Sequence, residues 1–235
     1  MAARDYSWEI LKAVRESDIP VGAIHLSGKL GIPPANIGRT LIRLEERGLV
    51  EKVQNKGRSI TKQGRQYLEE EELKNQKITI ANELIDFASL ENKKNLLEIL
   101  QVRKLLEGYT ARRCAEMATP ELIQELENIQ FDYIYELRHA RTGSEQDLAL
   151  HLKIAEGSGN HAIARILKLL LTDNDSYAEF TKAALRLKGL SQGEHCLILE
   201  AIREKDGERA ASEMEAHLNR VVENVERYFD AGDKA

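Results

Sequence analysis

A series of amphipathic helix patterns fills the chain from about residue 78 to its C-terminal end, and such patterns bury their apolar faces by packing helix against helix. Apolar side chains recur there at every third or fourth position. Glycine and proline, which interrupt helices, number only 15 and 4 among 235 residues. The predicted helices cover about 92–117, 120–142, 144–157, 162–171, 176–187, 191–205 and 206–229. About six to eight helices of this kind predict an all-α antiparallel bundle.

The first 70 residues predict a different order of elements, in which three helices precede a two-stranded ribbon. The helices are expected at about 7–16, 23–30 and 34–47, and the strands at 49–53 and 58–61. Pro33 and Pro34 stand at the start of the third helix, where proline is tolerated, and Gly48 ends that helix. The residues between the strands can form a tight turn. This order is typical of a winged helix-turn-helix.

A charged run separates the two patterns. Residues 69–77 contain four glutamates and two lysines but a single leucine, which is the composition of a linker or a solvated helix end. We therefore predict a mainly α chain in three parts. These are a winged helix-turn-helix domain over residues 1–70, a linker or connecting helix over 71–90, and a helical domain over 91–232.

The net charge of -5 is unevenly distributed. Residues 1–70 carry 12 Lys and Arg against 9 Asp and Glu, a net of +3, and the rest carry 22 against 30, a net of -8. A slightly basic first domain is compatible with nucleic-acid contact at one end only. No stretch approaches the roughly 20 apolar residues of a membrane span, and the N-terminus lacks a signal peptide's apolar core. Two cysteines without a CxxC pair suit a reducing compartment, so we expect a cytoplasmic protein.

One face of the third helix carries side chains that can read DNA. They share that face at i, i+3, i+4 and i+7 spacing and are Asn36, Arg39, Thr40 and Arg43. These side-chain types meet base edges and phosphates when a helix enters the major groove, and Lys56 and Arg58 in the ribbon can meet backbone phosphate. The alternative interpretation is a solvated helix face in a protein-interaction module.

Four residues on three predicted helices form a candidate metal-ligand set. Asp147 and His151 share one helix face because they are spaced i, i+4. His195 and His217 lie in two further apolar-periodic stretches. Three neutral imidazoles and one carboxylate suit a divalent ion such as zinc or nickel and leave coordination positions open. The alternatives are an acidic helix start at Asp147 and core histidines that bond to backbone carbonyls.

Residues from about 97 to 229 resemble the FCD ligand-binding domain of FadR-type members of the GntR superfamily of bacterial transcription regulators. The matching stretches are Val102 to Glu107 with Ala111 and Ala115, Asp147 to His151, Ser158 to Asn160, Glu194 and His195, Ala201 and Ile202 with Asp206, and Ala210, Met214, His217 and Leu218. Because they occur in the same order along the whole domain, they are more specific than any single motif.

This resemblance implies roles for particular residues. In the family, an Asp and three His bind a divalent metal inside the helical bundle, and a small organic acid commonly completes the coordination. The resemblance therefore assigns Asp147, His151, His195 and His217 as metal ligands. Arg103 matches an arginine that often faces the cavity, where a guanidinium can pair with an effector carboxylate. An ion pair between Arg103 and Glu107 on the same helix is the alternative.

The N-terminal segment departs from the usual GntR pattern. That winged helix carries a Pro-Ser-Glu-Arg opening and a Ser-Arg-x-Pro-Val-Arg recognition helix. Here the corresponding region, 33–41, reads Pro-Pro-Ala-Asn-Ile-Gly-Arg-Thr-Leu. It is similar to a different winged-helix type joined to the same effector domain, so no operator sequence follows from the family.

Together these features predict a homodimeric, ligand-responsive transcription repressor. It would bind double-stranded operator DNA through the winged helix and a small organic acid at the metal. Dimerisation is expected because palindromic half-sites require two-fold symmetry. One alternative is a metal-dependent enzyme acting on a small organic acid, since open metal positions can activate water. Another is a constitutive DNA binder whose metal is purely structural.

Overall fold

The computed structural model describes residues 5–88, 92–139, 141–171 and 194–232. The chain divides into two compact units, Met1–Ala81 and Asn82–Ala235. The first elements are α1 (Ser7–Arg15), α2 (Ala23–Leu30), α3 (Pro34–Glu46), β1 (Val50–Val53), β2 (Gly57–Ile60) and α4 (Lys62–Ala88). The later elements within the described ranges are α5 (Lys93–Met117), α6 (Pro120–Arg138), α7 (Ser144–Gly157), α8 (His161–Leu171), α9 (Glu194–Arg203) and α10 (Gly207–Gly232).

The first unit is a winged helix-turn-helix, as its sequence predicts. Helices α1 to α3 bury an apolar core that includes Ile10, Leu26 and Leu41. Strands β1 and β2 pair antiparallel, with Val50 opposite Ile60. A backbone bridge between Val21 and the second strand holds the ribbon to the segment before α2.

Two glycines shape the region around α3. Gly48, at φ +71°, turns the chain out of the helix into β1. Gly57, at φ +125°, lies so close to the backbone of Val21 that an added Cβ would be 2.5 Å from its carbonyl carbon. The ribbon can therefore approach the helices only with glycine at this position. Both glycines fix where the wing lies relative to α3.

The second unit is a helical bundle in which α5 is central. Helix α5 packs against α7, α8, α9 and α10. Small residues on α5 make this possible, because Ala111 and Ala115 are fully buried and a Cβ on Gly108 would come within 3.2 Å of Glu215. Larger apolar side chains fill the space between the other helices. The fold class predicted from the sequence, a winged helix-turn-helix followed by a helical bundle, is confirmed.

Some predicted boundaries differ from the structure. The charged run 69–77 lies within the continuous helix α4, which agrees with the connecting helix and not with the linker that the sequence left as alternatives, because glutamate, lysine and leucine are good helix formers even when solvated. Helix α6 ends at Arg138 rather than near 142. The helix predicted at 176–187 lies outside the described residues. The helices within the described ranges all lack the continuous apolar length that a membrane span requires.

The start of α7 also differs from the prediction that Ser144 caps this helix. Gly143 occupies the cap position at φ +64°, no side chain caps the helix, and Ser144 is its first residue. The Ser144 amide instead donates to the Thr142 hydroxyl. Asp147, one turn into the helix, has its amide bonded to the Gly143 carbonyl at 2.9 Å.

Candidate metal centre

Three helices of the second unit bring four buried side chains together. Helix α7 supplies Asp147 and His151 one turn apart, α9 supplies His195 in its first turn, and α10 supplies His217. All four are at least nine-tenths buried. One potential ligand atom from each lies within 4.8 Å of the others. The cluster could therefore hold a metal ion.

The distances within the cluster are those of side chains that face a common point. Asp147 Oδ1 lies 3.2 Å from His195 Nε2 and 4.0 Å from His151 Nε2. The ring centroid of His195 is 4.7 Å from that of His217 and 5.4 Å from that of His151. Since a zinc ion takes nitrogen and carboxylate ligands at about 2.0–2.2 Å, these four side chains are close enough to one another to be candidate ligands of one ion.

Buried ring nitrogens without a hydrogen bond support this fit. His151 Nε2 and both ring nitrogens of His195 are buried and have no hydrogen-bond partner. Leaving a buried polar group unsatisfied costs about 1–3 kcal/mol, so such groups need an explanation. A metal ion explains them, because a neutral imidazole nitrogen is one of the commonest metal ligands.

In His151 and His217, a glutamate contacts Nδ1, the ring nitrogen other than the Nε2 that would bind a metal. Glu107 Oε2 forms a short contact with His151 Nδ1. Glu194 Oε2 lies 3.0 Å from His217 Nδ1. A carboxylate on Nδ1 stabilises the tautomer that keeps the proton there, which leaves Nε2 with a lone pair. In both cases the nitrogen left over is the one that a metal would use.

Burial keeps the imidazoles of His195 and His217 uncharged. Desolvation by burial, together with the neighbouring His217, lowers the pKa of His195 to about 3. Burial and the neighbouring His151 likewise lower the pKa of His217 to about 3. Burial, followed by the charges of Asp147 and Glu194, raises the pKa of Tyr133, whose ring centroid is 5.1 Å from that of His195. His195 and His217 are therefore neutral near pH 7, which is the state that binds metal.

Arg103 lies in the same buried region and forms the ion pair with Glu107 that was the alternative to an effector contact. Its Nε donates to Glu107 Oε1 at 2.6 Å, and both side chains are almost fully buried. Burial alone would raise the pKa of Glu107, but the charges of Arg103 and His151 hold it well below its usual range. The i, i+4 spacing of the pair was the sequence signal for this contact.

Sequence reasoning did not assign functional roles to three residues around the cluster. Glu107 and Glu194 hold two of the histidines, and Tyr133 packs beside the third. The signal for Glu194 was its position next to His195. Tyr133 is buried on α6 together with Leu126 and Gln130, and this helical spacing indicates only a core residue.

The structure places most of the predicted DNA-reading side chains on one surface of α3. They line a groove of about 520 Å³ formed by Tyr6, Asn36, Arg39, Thr40, Ile42, Arg43 and Glu46. Arg39 Nη2 donates to Asn36 Oδ1 at 2.7 Å, and Arg43 Nη2 donates to Thr40 Oγ1 at 3.1 Å. Ile42, which is not among the side chains predicted to read DNA, is half-exposed in this groove.

Thr40 and Arg58 have surroundings that differ from those expected of side chains that contact DNA. Thr40 is 2% exposed, because it lies only 40° around the helix from the buried Leu44. Its hydroxyl accepts a hydrogen bond from Arg43 in the groove. Arg58 forms an ion pair with Glu45 on α3, because its Nε and Nη2 both lie 2.8 Å from Glu45 Oε2. Lys56, at the tip of the wing, is exposed.

Comparisons with known proteins agree with this architecture. Residues 98–220 match the model of the FCD domain, and residues 8–68 match that of the Ribonuclease R winged-helix domain. The chain is 32% identical over 206 residues to the HTH-type transcriptional regulator LutR of Bacillus subtilis (strain 168). That similarity covers 83% of this chain and 85% of LutR.

Solved structures share the fold at low sequence identity. One is Lar, described as controlling the expression of the Listeria monocytogenes agr system, with a TM-score of 0.52 and 9% identity over 97% of this chain and 99% of that one. Another is E. coli McbR/YncC, with a TM-score of 0.50 and 12% identity over 97% of this chain and 100% of that one.

The family decides between the regulator and the enzyme. The FCD match covers about half of the chain, and the LutR similarity covers most of it. GntR-family regulators bind operator DNA and small-molecule effectors, often as dimers, and are not enzymes. The chain therefore belongs to the FCD-domain transcription regulators of the GntR family, with a winged helix that departs from that family's usual signature.

Proposed function

We propose that this protein is a repressor that binds a divalent metal and changes its grip on operator DNA when a small carboxylate reaches that metal. The observation that carries the proposal is the convergence of Asp147, His151, His195 and His217 in the domain joined to a winged helix. A metal with open positions inside such a domain suits a sensor.

The proposed ion is zinc or nickel, held by Asp147, His151, His195 and His217. The donor set supports this choice, because imidazole and carboxylate ligands suit borderline divalent ions. When bound, the ion would supply a Lewis-acidic centre for an anionic ligand. The chain's own side chains hold the ligands in place, through Glu107 at His151 and Glu194 at His217.

The charges around the cluster favour an anionic effector. Glu107 is offset by Arg103, and Glu194 is offset by Arg220, whose Nε lies 2.5 Å from Glu194 Oε1. Asp147 is the carboxylate among the four proposed ligands, and a divalent ion carries more positive charge than this one carboxylate offsets. A small carboxylate offsets that charge and takes an open metal position. The role of Arg103 as a direct effector contact stays a prediction.

The winged helix is proposed to bind the operator through α3 and the tip of the wing. Asn36, Arg39 and Arg43 are the side chains proposed to meet bases and phosphates, and Lys56 is proposed to meet backbone phosphate. The Asn36 to Arg39 bond supports this role, because it holds the guanidinium in one orientation before DNA arrives. Thr40 and Arg58 are proposed to act only by supporting Arg43 and the wing.

Helix α4 supports a homodimer. Leu73, Ile80 and Leu84 are exposed by 52%, 64% and 38%, and Phe87 follows on the same stripe. These residues and Lys77 occupy a and d positions of a heptad pattern, in which a single a-position lysine specifies pairing at a cost in stability. In a parallel pair, Glu69 of one helix faces Lys74 of the other at g and e positions, which are opposite charges.

Effector binding can change DNA affinity only if the dimer has two arrangements, one that binds the operator and one that does not, and the effector has a different affinity for each. We propose that a carboxylate at the metal draws α7, α9 and α10 together and so favours one spacing of the two winged helices. A regulator of this kind acts where the operator is, in the bacterial cytoplasm.

The proposal is tested by measuring operator binding with metal, carboxylate or both present. An operator fragment is first selected from random DNA with the purified dimer. Its affinity is expected to change by about 5-fold to 150-fold when a suitable carboxylate is added to metal-loaded protein, the range of common allosteric couplings. Metal-free protein is expected not to respond. An equal response without metal would refute the proposed sensor.

A further inference from the structure

Two chains of contacts with the same order converge on the metal-ligand cluster from opposite sides. In the first, Arg103 Nε donates to Glu107 Oε1 at 2.6 Å, and Glu107 Oε2 contacts His151 Nδ1. In the second, Arg220 Nε lies 2.5 Å from Glu194 Oε1, and Glu194 Oε2 lies 3.0 Å from His217 Nδ1. Each glutamate thus uses one oxygen for an arginine and the other for a histidine.

These chains fix three properties of a ligating histidine. The carboxylate keeps the proton on Nδ1, so that the lone pair stays on Nε2. The bond stops the ring from rotating about its side-chain torsions. The negative charge also makes the imidazole a stronger donor to a cation. The arginine in turn makes it possible to bury the carboxylate, because an unpaired buried charge is strongly destabilising.

The two chains differ in their exposure to solvent. The side chains of Arg103, Glu107 and His151 are 4%, 1% and 1% exposed. Arg220 is 42% exposed, and Glu194 is 10% exposed. Because solvent screens charge interactions, the buried chain acts on its histidine more strongly than the chain that reaches the surface.

We propose that Glu107 and Glu194 are positioning residues that hold His151 and His217 in the metal-binding tautomer and orientation, and that Glu107 has the larger effect. Arg103 acts in this arrangement through Glu107. This inference rests on the proposed metal site and adds residues that are not among its four proposed ligands.

The experiment measures the affinity of full-length protein for Zn²⁺ by competition with a coloured chelator. The variants are Glu107→Gln and Glu194→Gln, which keep the side-chain size but remove the charge. Glu116→Gln is the matched control, because Glu116 lies on the same helix as Glu107 and pairs with Arg113 at the surface. Thermal unfolding of the metal-free proteins shows whether each variant folds.

Glu107→Gln is expected to bind Zn²⁺ about 10-fold to 100-fold more weakly than the control, which is the usual cost of losing such a partner. Glu194→Gln is expected to lose less, about 3-fold to 10-fold. Co²⁺ gives an independent readout, because the visible absorption bands of bound Co²⁺ report ligand geometry. These bands are expected to shift in Glu107→Gln and to stay unchanged in Glu116→Gln.

Affinities of folded Glu107→Gln and Glu194→Gln within 2-fold of the control, with unchanged Co²⁺ spectra, would overturn the inference while leaving the metal site intact. Wild-type protein with affinity for neither Zn²⁺ nor Ni²⁺ would instead refute the proposed function itself. If Glu107→Gln does not fold, Glu194→Gln decides: weaker binding than the control supports the positioning role, and equal binding overturns it.

Discussion

Asp147 Oδ1 lies 3.2 Å from His195 Nε2, although the two residues belong to different helices. Neither ring nitrogen of His195 has a hydrogen-bond partner, so this buried imidazole meets the carboxylate without a well-formed bond between them. Two such groups that face each other in a buried cluster are expected to share a cation. The relationship ties α7 to α9, and a metal there would stabilise the packing of both helices.

The first prediction concerns pH. His195 and His217 have pKa values of about 3 in the folded, metal-free protein, against about 6.5 when unfolded. Between these values the unfolded chain binds more protons, so the stability contributed by the neutral imidazoles is complete above pH 6.5 and is lost as the pH falls towards 3. Each imidazole is expected to lower the free energy of unfolding by up to about 1.4 kcal/mol per pH unit.

This pH dependence can be measured by urea unfolding in the presence of a chelator at pH 7.5, 6, 5 and 4.5. His217→Gln is expected to have a shallower slope than wild type, whereas His161→Gln, which changes an exposed histidine, is expected to keep it. A wild-type free energy that stays level over this range would contradict buried neutral histidines.

The second prediction concerns the recognition helix. Arg39→Ala is expected to weaken operator binding by about 1–3 kcal/mol, which corresponds to about 5-fold to 150-fold, because a base-reading guanidinium is removed. Fluorescence anisotropy with the selected operator measures this change, and metal content is expected to stay the same. Arg65→Ala, an exposed arginine on α4, is the control for net charge. Loss of binding in Arg65→Ala alone would place the DNA surface elsewhere.

The third prediction concerns the wing. Lys56→Ala is expected to weaken binding to all DNA sequences by a similar factor, because a phosphate contact carries no base information. Titrations at several salt concentrations give the slope of the logarithm of the binding constant against the logarithm of the salt concentration. The magnitude of this slope is expected to be lower by about one in the variant. An unchanged salt dependence would mean that the wing does not touch the backbone.

The fourth prediction concerns dimerisation through α4. In a Cys196→Ser background, Ile80→Cys is expected to form a disulfide-linked dimer under mild oxidation, because d positions of a parallel pair bring their Cα atoms within the roughly 4.4–6.8 Å of a disulfide. Asn82→Cys, an exposed position away from the stripe, is the control. Electrophoresis without reductant separates the products. Cross-linking of Asn82→Cys but not of Ile80→Cys would contradict the proposed helix pair.

The sequence predicts the fold well because its signals are local. Helical periodicity, Pro34 at the start of α3 and Gly48 at its end specify the winged helix without reference to tertiary contacts. The predicted helix boundaries are wrong where two neighbouring residues favour different starting points for the same helix. At the start of α7, Ser144 is a good capping residue, but Gly143 adopts the left-handed conformation that reverses the chain.

The candidate site is less predictable, because it depends on how helices cross. Spacing alone places Asp147 and His151 on one face, but only the packing of α9 and α10 brings His195 and His217 to them. The family resemblance supplied that step. Contacts between helices, such as Glu107 with His151, leave no trace in local periodicity. Thr40 shows a different limit of helical spacing. The spacing places Thr40 on the same helix face as Asn36, Arg39 and Arg43, but it does not show that Thr40 lies at the buried edge of that face.

Metal content is the most direct test of the proposed centre. Protein purified without chelator and analysed by inductively coupled plasma mass spectrometry is expected to contain about one zinc or nickel per chain. His151→Ala and His217→Ala are expected to lose it, whereas His161→Ala, which removes an exposed histidine outside the cluster, is expected to keep it. Equal metal content in all four folded proteins would contradict the assignment of Asp147, His151, His195 and His217.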